Sequence, residues 1–199
     1  MRAYKVVDAF SDRPFKGNPV AVVLDAEGLG DEEMQEIARW TNLSETTFLL
    51  PAVDAGADYR LRIFTPRSEL PFAGHPTLGS AHAALEAGRV QPRSGRLVQE
   101  CGQGLVPITV LGNGESRRLV LELPTAKITP LAAEDIDEVE AILGQAIVRE
   151  AAPAIVDVGA VWIVAQVDSA ATLLAIKADY VLSATLERRL GATGITVFG

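Results

Sequence analysis

The stretch Phe72-Ala73-Gly74-His75-Pro76-Thr77-Leu78-Gly79-Ser80-Ala81-His82-Ala83-Ala84-Leu85 decides how this sequence folds. Pro76 suits the first turn of a helix, where its missing N–H costs nothing. Leu78, Ala81, Ala84 and Leu85 continue the helix, and Gly88 is a good C-terminal stop. Between them lie Gly79, Ser80, Ala81, Ala83 and Ala84. Residues this small let other backbones come close on every side. The stretch therefore reads as a central, buried helix with a sheet wrapped around it.

Working outward, Val6–Val7 and Val20–Leu24 read as short buried strands joined by a loop holding Arg13, Pro14, Gly17, Asn18 and Pro19. Asp31 reads as the N-cap of a helix to about Trp40, with Glu32 and Glu33 in its first turn. Strands follow at Thr46–Leu50 and Tyr59–Phe64, and a loop runs from Thr65 to His75. Beyond the central helix, Arg96–Val98, Leu105–Leu111 and Leu119–Leu123 read as strands. Gly112-Asn113-Gly114 reads as a hairpin turn.

Pro124–Pro130 reads as a boundary, giving halves 1–124 and 125–199. The second half shows a helix near Ala133–Leu143 and strands at Ile155–Val158 and Val161–Val167. A short helix from Ser169, a helix near Asp179–Leu190 and a strand at Ile195–Phe198 complete it. Helix Asp179–Leu190 with its following strand echoes helix Asp31–Trp40 with strand Thr46–Leu50. Counted by the first half's spacing, a second central helix belongs roughly 25 residues beyond the last strand. The second half is thus expected to lack its central helix.

The chain has 199 residues, 48% hydrophobic and 22% charged, enough for sizeable cores. Its formal net charge of −8 argues against phosphate-backbone binding, which needs a basic footprint. No partner of nucleic-acid or membrane type is expected, because no apolar run reaches the ~20 residues of a bilayer span. The single cysteine, Cys101, and the missing apolar signal core point to a reducing cytoplasm.

Three groups carry the candidate chemistry. The Gly74-His75-Pro76-Thr77 loop opens a helix, so unpaired N–H groups and the helix dipole make a cradle for a carboxylate or for developing negative charge. A plain helix cap with a buried histidine fits the same pattern. His75 at that helix start is disfavoured in its charged form by the dipole. His82, seven residues on, reads as a core or groove histidine. Glu45 lies between a helix and an apolar strand, where partial desolvation would suit general acid–base work. Ser44, Thr46 and Thr47 offer it hydroxyls, and an ordinary surface glutamate is the competing reading. Asn18 sits in a Gly-Asn-Pro turn, where an amide serves either the turn or a substrate carboxylate.

Other motifs carry less. Cys101-Gly102-Gln103-Gly104 leads into a strand, so no helix dipole activates the thiol, and no second cysteine completes a pair. Ala192-Thr193-Gly194 is likewise a turn before a strand. No Walker loop, dinucleotide fingerprint or metal motif is present. Ser44 and Ser80 lack a Ser-His-Asp arrangement, which leaves hydrolysis a distant reading.

Taken together, Arg13–Val22, Asn42–Phe48, Glu69–Ala83, Gly104–Ile108 and Val156–Val164 resemble the PhzF-like (phenazine-biosynthesis) isomerase family. The resemblance implies an α+β, diaminopimelate-epimerase-like fold: two pseudo-symmetric halves, each a sheet wrapped around a central helix. It implies an isomerase without metal or cofactor that moves a proton within a small anionic carboxylic acid. Glu45 becomes the general acid/base. His75, Gly74, Thr77, Asn18 and Ser44 become substrate-binding groups. Gly74 holds the position where thiol-dependent epimerases carry a cysteine. A homodimer is implied too. The family pattern continues with an Asp-Pro-Ala-Thr-Gly-Ser-Ala-like segment that has no counterpart here. An incomplete member that binds a small anion without turnover is therefore the alternative. The Val161–Val167 strand faces are expected to need cover from another chain.

Overall fold

The computed structural model describes residues 2–122 and 125–199. Two compact units divide the chain, 1–124 and 125–199. The expected end of a strand at Leu123 and the proline at 124 lie outside the described residues.

Unit 1 opens with β1 (Tyr4–Ala9), β2 (Asn18–Val23), α1 (Asp31–Thr41), β3 (Glu45–Leu50), β4 (Tyr59–Phe64) and the short β5 (Glu69–Leu70). Then come α2 (Gly74–Glu86), β6 (Arg96–Cys101), β7 (Gly104–Leu111) and β8 (Arg118–Leu121). The sheet runs β1-β2-β3-β4-β6-β7-β8, with β5 added to β4. Helix α2 packs on β1, β2, β3 and β4, and also on β8 at the far edge. A helix that touches both edge strands requires the sheet to curl around it.

Small residues allow this. Ala81, Ala83 and Ala84 are fully buried. A Cβ added at Gly79 would stand 2.4 Å from Val20 Cγ1. Strand alternation sorts the core into two layers. Val20, Val22, Leu49, Leu61 and Ile63 face α2. Val23, Phe48 and Phe64 face outward onto Met34 and Ala38 of α1. Fully burying side chains of this size contributes about 1.5–3 kcal/mol each.

The entry to α1 differs from expectation. Gly30, not Asp31, is the N-cap, and the Glu33 carboxylate accepts its N–H at 2.9 Å. Asp31 is the first helical residue, and Arg62 donates to its carboxylate at 2.6 Å. A glutamate in the first turn can reach back to the cap N–H, so no side-chain acceptor is needed at the cap itself.

Unit 2 contains β9 (Lys127–Pro130), α3 (Ala133–Leu143), β10 (Ala154–Asp157), β11 (Val161–Gln166), α4 (Ala170–Ala175), α5 (Tyr180–Leu190) and β12 (Gly194–Phe198). Its sheet order is β12-β11-β10-β9. The supposed boundary segment thus holds a strand, β9, paired antiparallel with β10. The Asp179 side chain accepts from the N–H groups of Val181 and Leu182 and starts α5. Gly191, at φ +65°, ends it. Ile163, Ala165 and Val167 are buried among Val139, Ile142 and Leu186 from α3 and α5. That face of the strand is covered within the unit, contrary to the expectation of a strand open to water. Alternation sends Trp162 and Val164 to the other face, where they are half-buried.

The echo between halves has a topological counterpart. In unit 1 an antiparallel pair, β1–β2, is followed by α1 and a strand parallel to β2. In unit 2 the antiparallel pair β10–β11 is followed by α4, α5 and a strand parallel to β11. No described helix is long and apolar enough to cross a membrane.

Candidate active site

Three elements of unit 1 bring the candidate residues together. Parallel pairing places Val20 beside Glu45, so Asn18 near the start of β2 and Ser44 just before β3 share one end of the sheet. The Ser44 hydroxyl points to Asn18 Oδ1 at 3.5 Å, a long contact. Both residues are exposed. Glu45 is the first residue of β3 and shares a face with Thr47 and Leu49, the face turned to α2.

His75 stands in the first turn of α2, opposite Glu45. His75 Nε2 and Glu45 Oε2 are 3.3 Å apart, and their side chains are only 10% and 15% exposed. The contact does not have hydrogen-bond geometry. Among the described residues, these two atoms are the buried side-chain N or O atoms with no partner. A native protein rarely leaves buried polar atoms unsatisfied, and where it does they call for an explanation.

Burial pushes the His75 imidazole below its ordinary pKa, while the Glu45 carboxylate and a backbone bond at Pro19 pull the other way. The sequence attributed a neutral histidine to the helix dipole. In the structure the largest cause is desolvation.

The start of α2 has the expected form. Its N-cap, Ala73, makes no side-chain cap bond, and Pro76 has no N–H. The Thr77 N–H already donates to Ala73 O at 3.3 Å. That leaves the amides of Gly74 and His75 at the helix end. Gly74 does not have a left-handed backbone, and a Cβ there would meet only Leu121 Cδ2, at an ordinary 3.8 Å. Backbone strain therefore does not require this glycine.

Thr77 is placed differently from its sequence reading. It is fully buried, and its hydroxyl accepts from Gln99 Nε2 at 3.1 Å. Gln99 Oε1 in turn accepts from the Tyr59 hydroxyl at 3.1 Å. The Thr77 side chain ties α2 to β4 and β6 instead of facing a ligand.

His82 lines a groove of about 1060 Å³ with Lys5, Asp8, Phe10, Leu78 and Glu86. Phe10 in that groove also lies near the site, with its ring centroid 6.4 Å from that of His75. Phe10 and Phe15, on the loop joining β1 to β2, both take φ +66° and are 73% and 96% exposed. Only the loop's proximity to Asn18 hinted at these aromatics in the sequence. Cys101 ends β6 at a two-residue turn into β7, and burial raises its thiol pKa. No group of three His, Cys, Asp or Glu side chains that could hold a metal occurs among the described residues.

Against known proteins, residues 7–198 match the family model PhzC-PhzF, described as "Phenazine biosynthesis-like protein". The chain belongs to this phenazine biosynthesis-like family. One family relative is antisense-enhancing sequence 1 of Schizosaccharomyces pombe, 43% identical over 99% of this chain and 68% of that protein. Another is trans-2,3-dihydro-3-hydroxyanthranilate isomerase of Pseudomonas aeruginosa, 50% identical over 110 residues. That match covers 55% of this chain and 38% of the isomerase. Among solved structures, a predicted epimerase from Pseudomonas aeruginosa superposes with TM-score 0.84 at 28% identity, covering all of this chain and 70% of the other. These likenesses bear out the α+β epimerase-type fold and the family that the sequence motifs indicated.

Proposed function

We propose that this protein is an isomerase that moves a proton within a small, cyclic carboxylic acid, with Glu45 as the group that takes and returns the proton. One observation carries the reading. A buried carboxylate oxygen and a buried imidazole nitrogen face each other without a hydrogen bond, beside two amides at a helix start that have no partner among the described residues. A ligand seated against this end of the sheet would satisfy all four groups.

In this mechanism the amides of Gly74 and His75 hold the substrate carboxylate, aided by the helix dipole. Glu45 removes a proton from a carbon next to the conjugated system, and the electron pair delocalises toward the carboxylate. The neutral His75, its single N–H held by the Pro19 backbone, accepts a hydrogen bond from the substrate at Nε2 and so fixes the ring beside Glu45. Protonated Glu45 then delivers the proton to another carbon of the same face, which shifts the double bonds and restores its carboxylate. One well-placed donor in such a step contributes about 3–4 kcal/mol. Asn18 and Ser44, at the mouth of the site, would orient polar substituents of the ring.

The test uses trans-2,3-dihydro-3-hydroxyanthranilate, the compound named for the bacterial relative, in deuterium oxide. Protonated Glu45 exchanges its proton with solvent before returning it, so the expected result is one solvent deuterium at the shifted carbon by mass spectrometry. Glu45→Gln should slow this by about 10²–10⁴-fold, the usual contribution of a general acid–base. Turnover undiminished in Glu45→Gln would sink the assignment. Calorimetric binding without any conversion in the wild type would replace it with a binding role.

A further inference from the structure

The three groups of the proposed site come from three separate elements: Asn18 from β2, Glu45 from β3 and His75 from α2. One buried chain of hydrogen bonds ties these same three elements together. The hydroxyls of Ser80 on α2 and Thr47 on β3 are 2.8 Å apart. The Thr47 hydroxyl donates to the backbone carbonyl of Ala21 on β2 at 3.3 Å. Ser80 must then be the donor to Thr47. Both side chains are fully buried and Ala21 is 1% exposed.

The chain lies directly beneath the site. Thr47 is two residues from Glu45 on the same strand face, and Ser80 is five residues from His75 on the same helix. Thr46 is held independently, its hydroxyl 2.6 Å from that of Thr41 at the end of α1. Two consecutive, fully buried threonines therefore follow Glu45, each bonded to a different helix.

Packing alone does not explain this choice. Valine has nearly the same shape as threonine and would fill the position without a polar atom to satisfy. A buried hydrogen-bonded pair gives little net stability over apolar residues of the same shape, but only one relative placement of strand and helix satisfies it. A slide of α2 along β3 would leave the buried Ser80 hydroxyl without its partner, while Thr47 keeps only its bond to the Ala21 carbonyl.

We infer that the Ser80–Thr47–Ala21 hydrogen-bond chain sets the register of α2 against β3 and so holds Glu45 opposite His75. This rests on the proposed function above, which gives that pairing its purpose. Thr47 and Ser80 are positioning residues. They act through Glu45 and His75 and touch no reacting atom.

The experiment reads the pairing directly, without turnover. His75 and His82 are the only histidines, so a His82→Gln variant assigns the imidazole signals of His75 in an NMR titration. In otherwise wild-type protein, Glu45→Gln should lower the His75 pKa, because the carboxylate raises it. In Thr47→Val/Ser80→Ala protein, which has no orphaned hydroxyl, the same change should move His75 by less than half as much. Urea unfolding should show the double variant close to wild type, while Thr47→Val alone, which strands the buried Ser80 hydroxyl, unfolds at lower urea. Thr47→Ser keeps the hydroxyl and loses the methyl group, and should keep the full effect of Glu45→Gln. A full effect in the double variant, or its loss in Thr47→Ser, would overturn the inference while leaving the proposed function in place. No effect of Glu45→Gln in the wild type would remove both.

Discussion

Replacing Gly79 with alanine tests how closely the central helix must approach the sheet. The added Cβ would stand 2.4 Å from Val20 Cγ1 and 3.7 Å from Val7 Cβ. Non-bonded carbons prefer about 3.5–4.0 Å, so one of the two elements must give by more than about 1 Å. Val20 is fully buried on β2 and cannot turn away. Overpacking of this kind costs about 1–3 kcal/mol, and an overlap this deep belongs at the upper end. Alanine for glycine within a helix returns about 1 kcal/mol. The net expectation is destabilisation by about 2 kcal/mol. With a urea slope of about 2 kcal/mol/M, the midpoint should fall by about 1 M. A partner variant separates clash from any other cause. Val20→Ala deletes the offending methyl and costs about 2 kcal/mol by itself through lost burial. In that background Gly79→Ala should cost nothing or stabilise slightly, so the two changes should couple by at least about 1 kcal/mol. If Gly79→Ala alone raises the midpoint, as helix propensity by itself predicts, or if the two changes simply add, the close-approach argument is wrong.

Three further outcomes follow from the same geometry. Gly74→Ala should leave the urea midpoint nearly unchanged, since its Cβ meets only ordinary contact, yet weaken calorimetric binding of a cyclic acid by about tenfold, on the order of 1.4 kcal/mol, by standing over the amides; unchanged binding would move the anion cradle elsewhere. Burial holds His75 below its ordinary pKa, so as pH falls below about 6.5 the unfolded chain takes up a proton before the folded one does. Stability should therefore drop with falling pH until the lower folded-state value is passed, and His75→Gln should flatten that part of the profile; urea midpoints of the two proteins that run parallel from pH 7.5 to 5.5 would refute it. Cys101 is buried with its thiol pKa raised, so a chromogenic disulfide at pH 8 should label the native protein at least about 100-fold more slowly than the urea-unfolded chain; fast labelling in the native state would mean that the β6–β7 turn opens.

Much of the fold could be read because its signals are local. A short apolar run marked β3, alternation marked β4, and a run of glycine, serine and alanine after Pro76 marked a helix that other elements approach from every side. The family motifs named Glu45 and His75. What escaped were features whose cause lies elsewhere in the chain. Nothing near Lys127–Pro130 announces a strand, because β9 exists through its pairing with β10. Asp31 looked like a cap, but Arg62 on β4 occupies its carboxylate. Thr77 looked like a ligand group until Gln99, 22 residues away, took its hydroxyl.

The sequence by itself determined most of the elements and their faces, since these follow from side-chain size and periodicity, and its family motifs pointed to Glu45 and His75. Only the tertiary structure decided that Glu45 meets His75 at 3.3 Å with neither atom hydrogen-bonded. That meeting depends on β2 and β3 pairing in parallel and on α2 lying at one register against them, through contacts between residues some 30 positions apart. A linear pattern carries no record of such distances, because they are fixed by packing and by buried hydrogen bonds formed only once the chain has closed on itself.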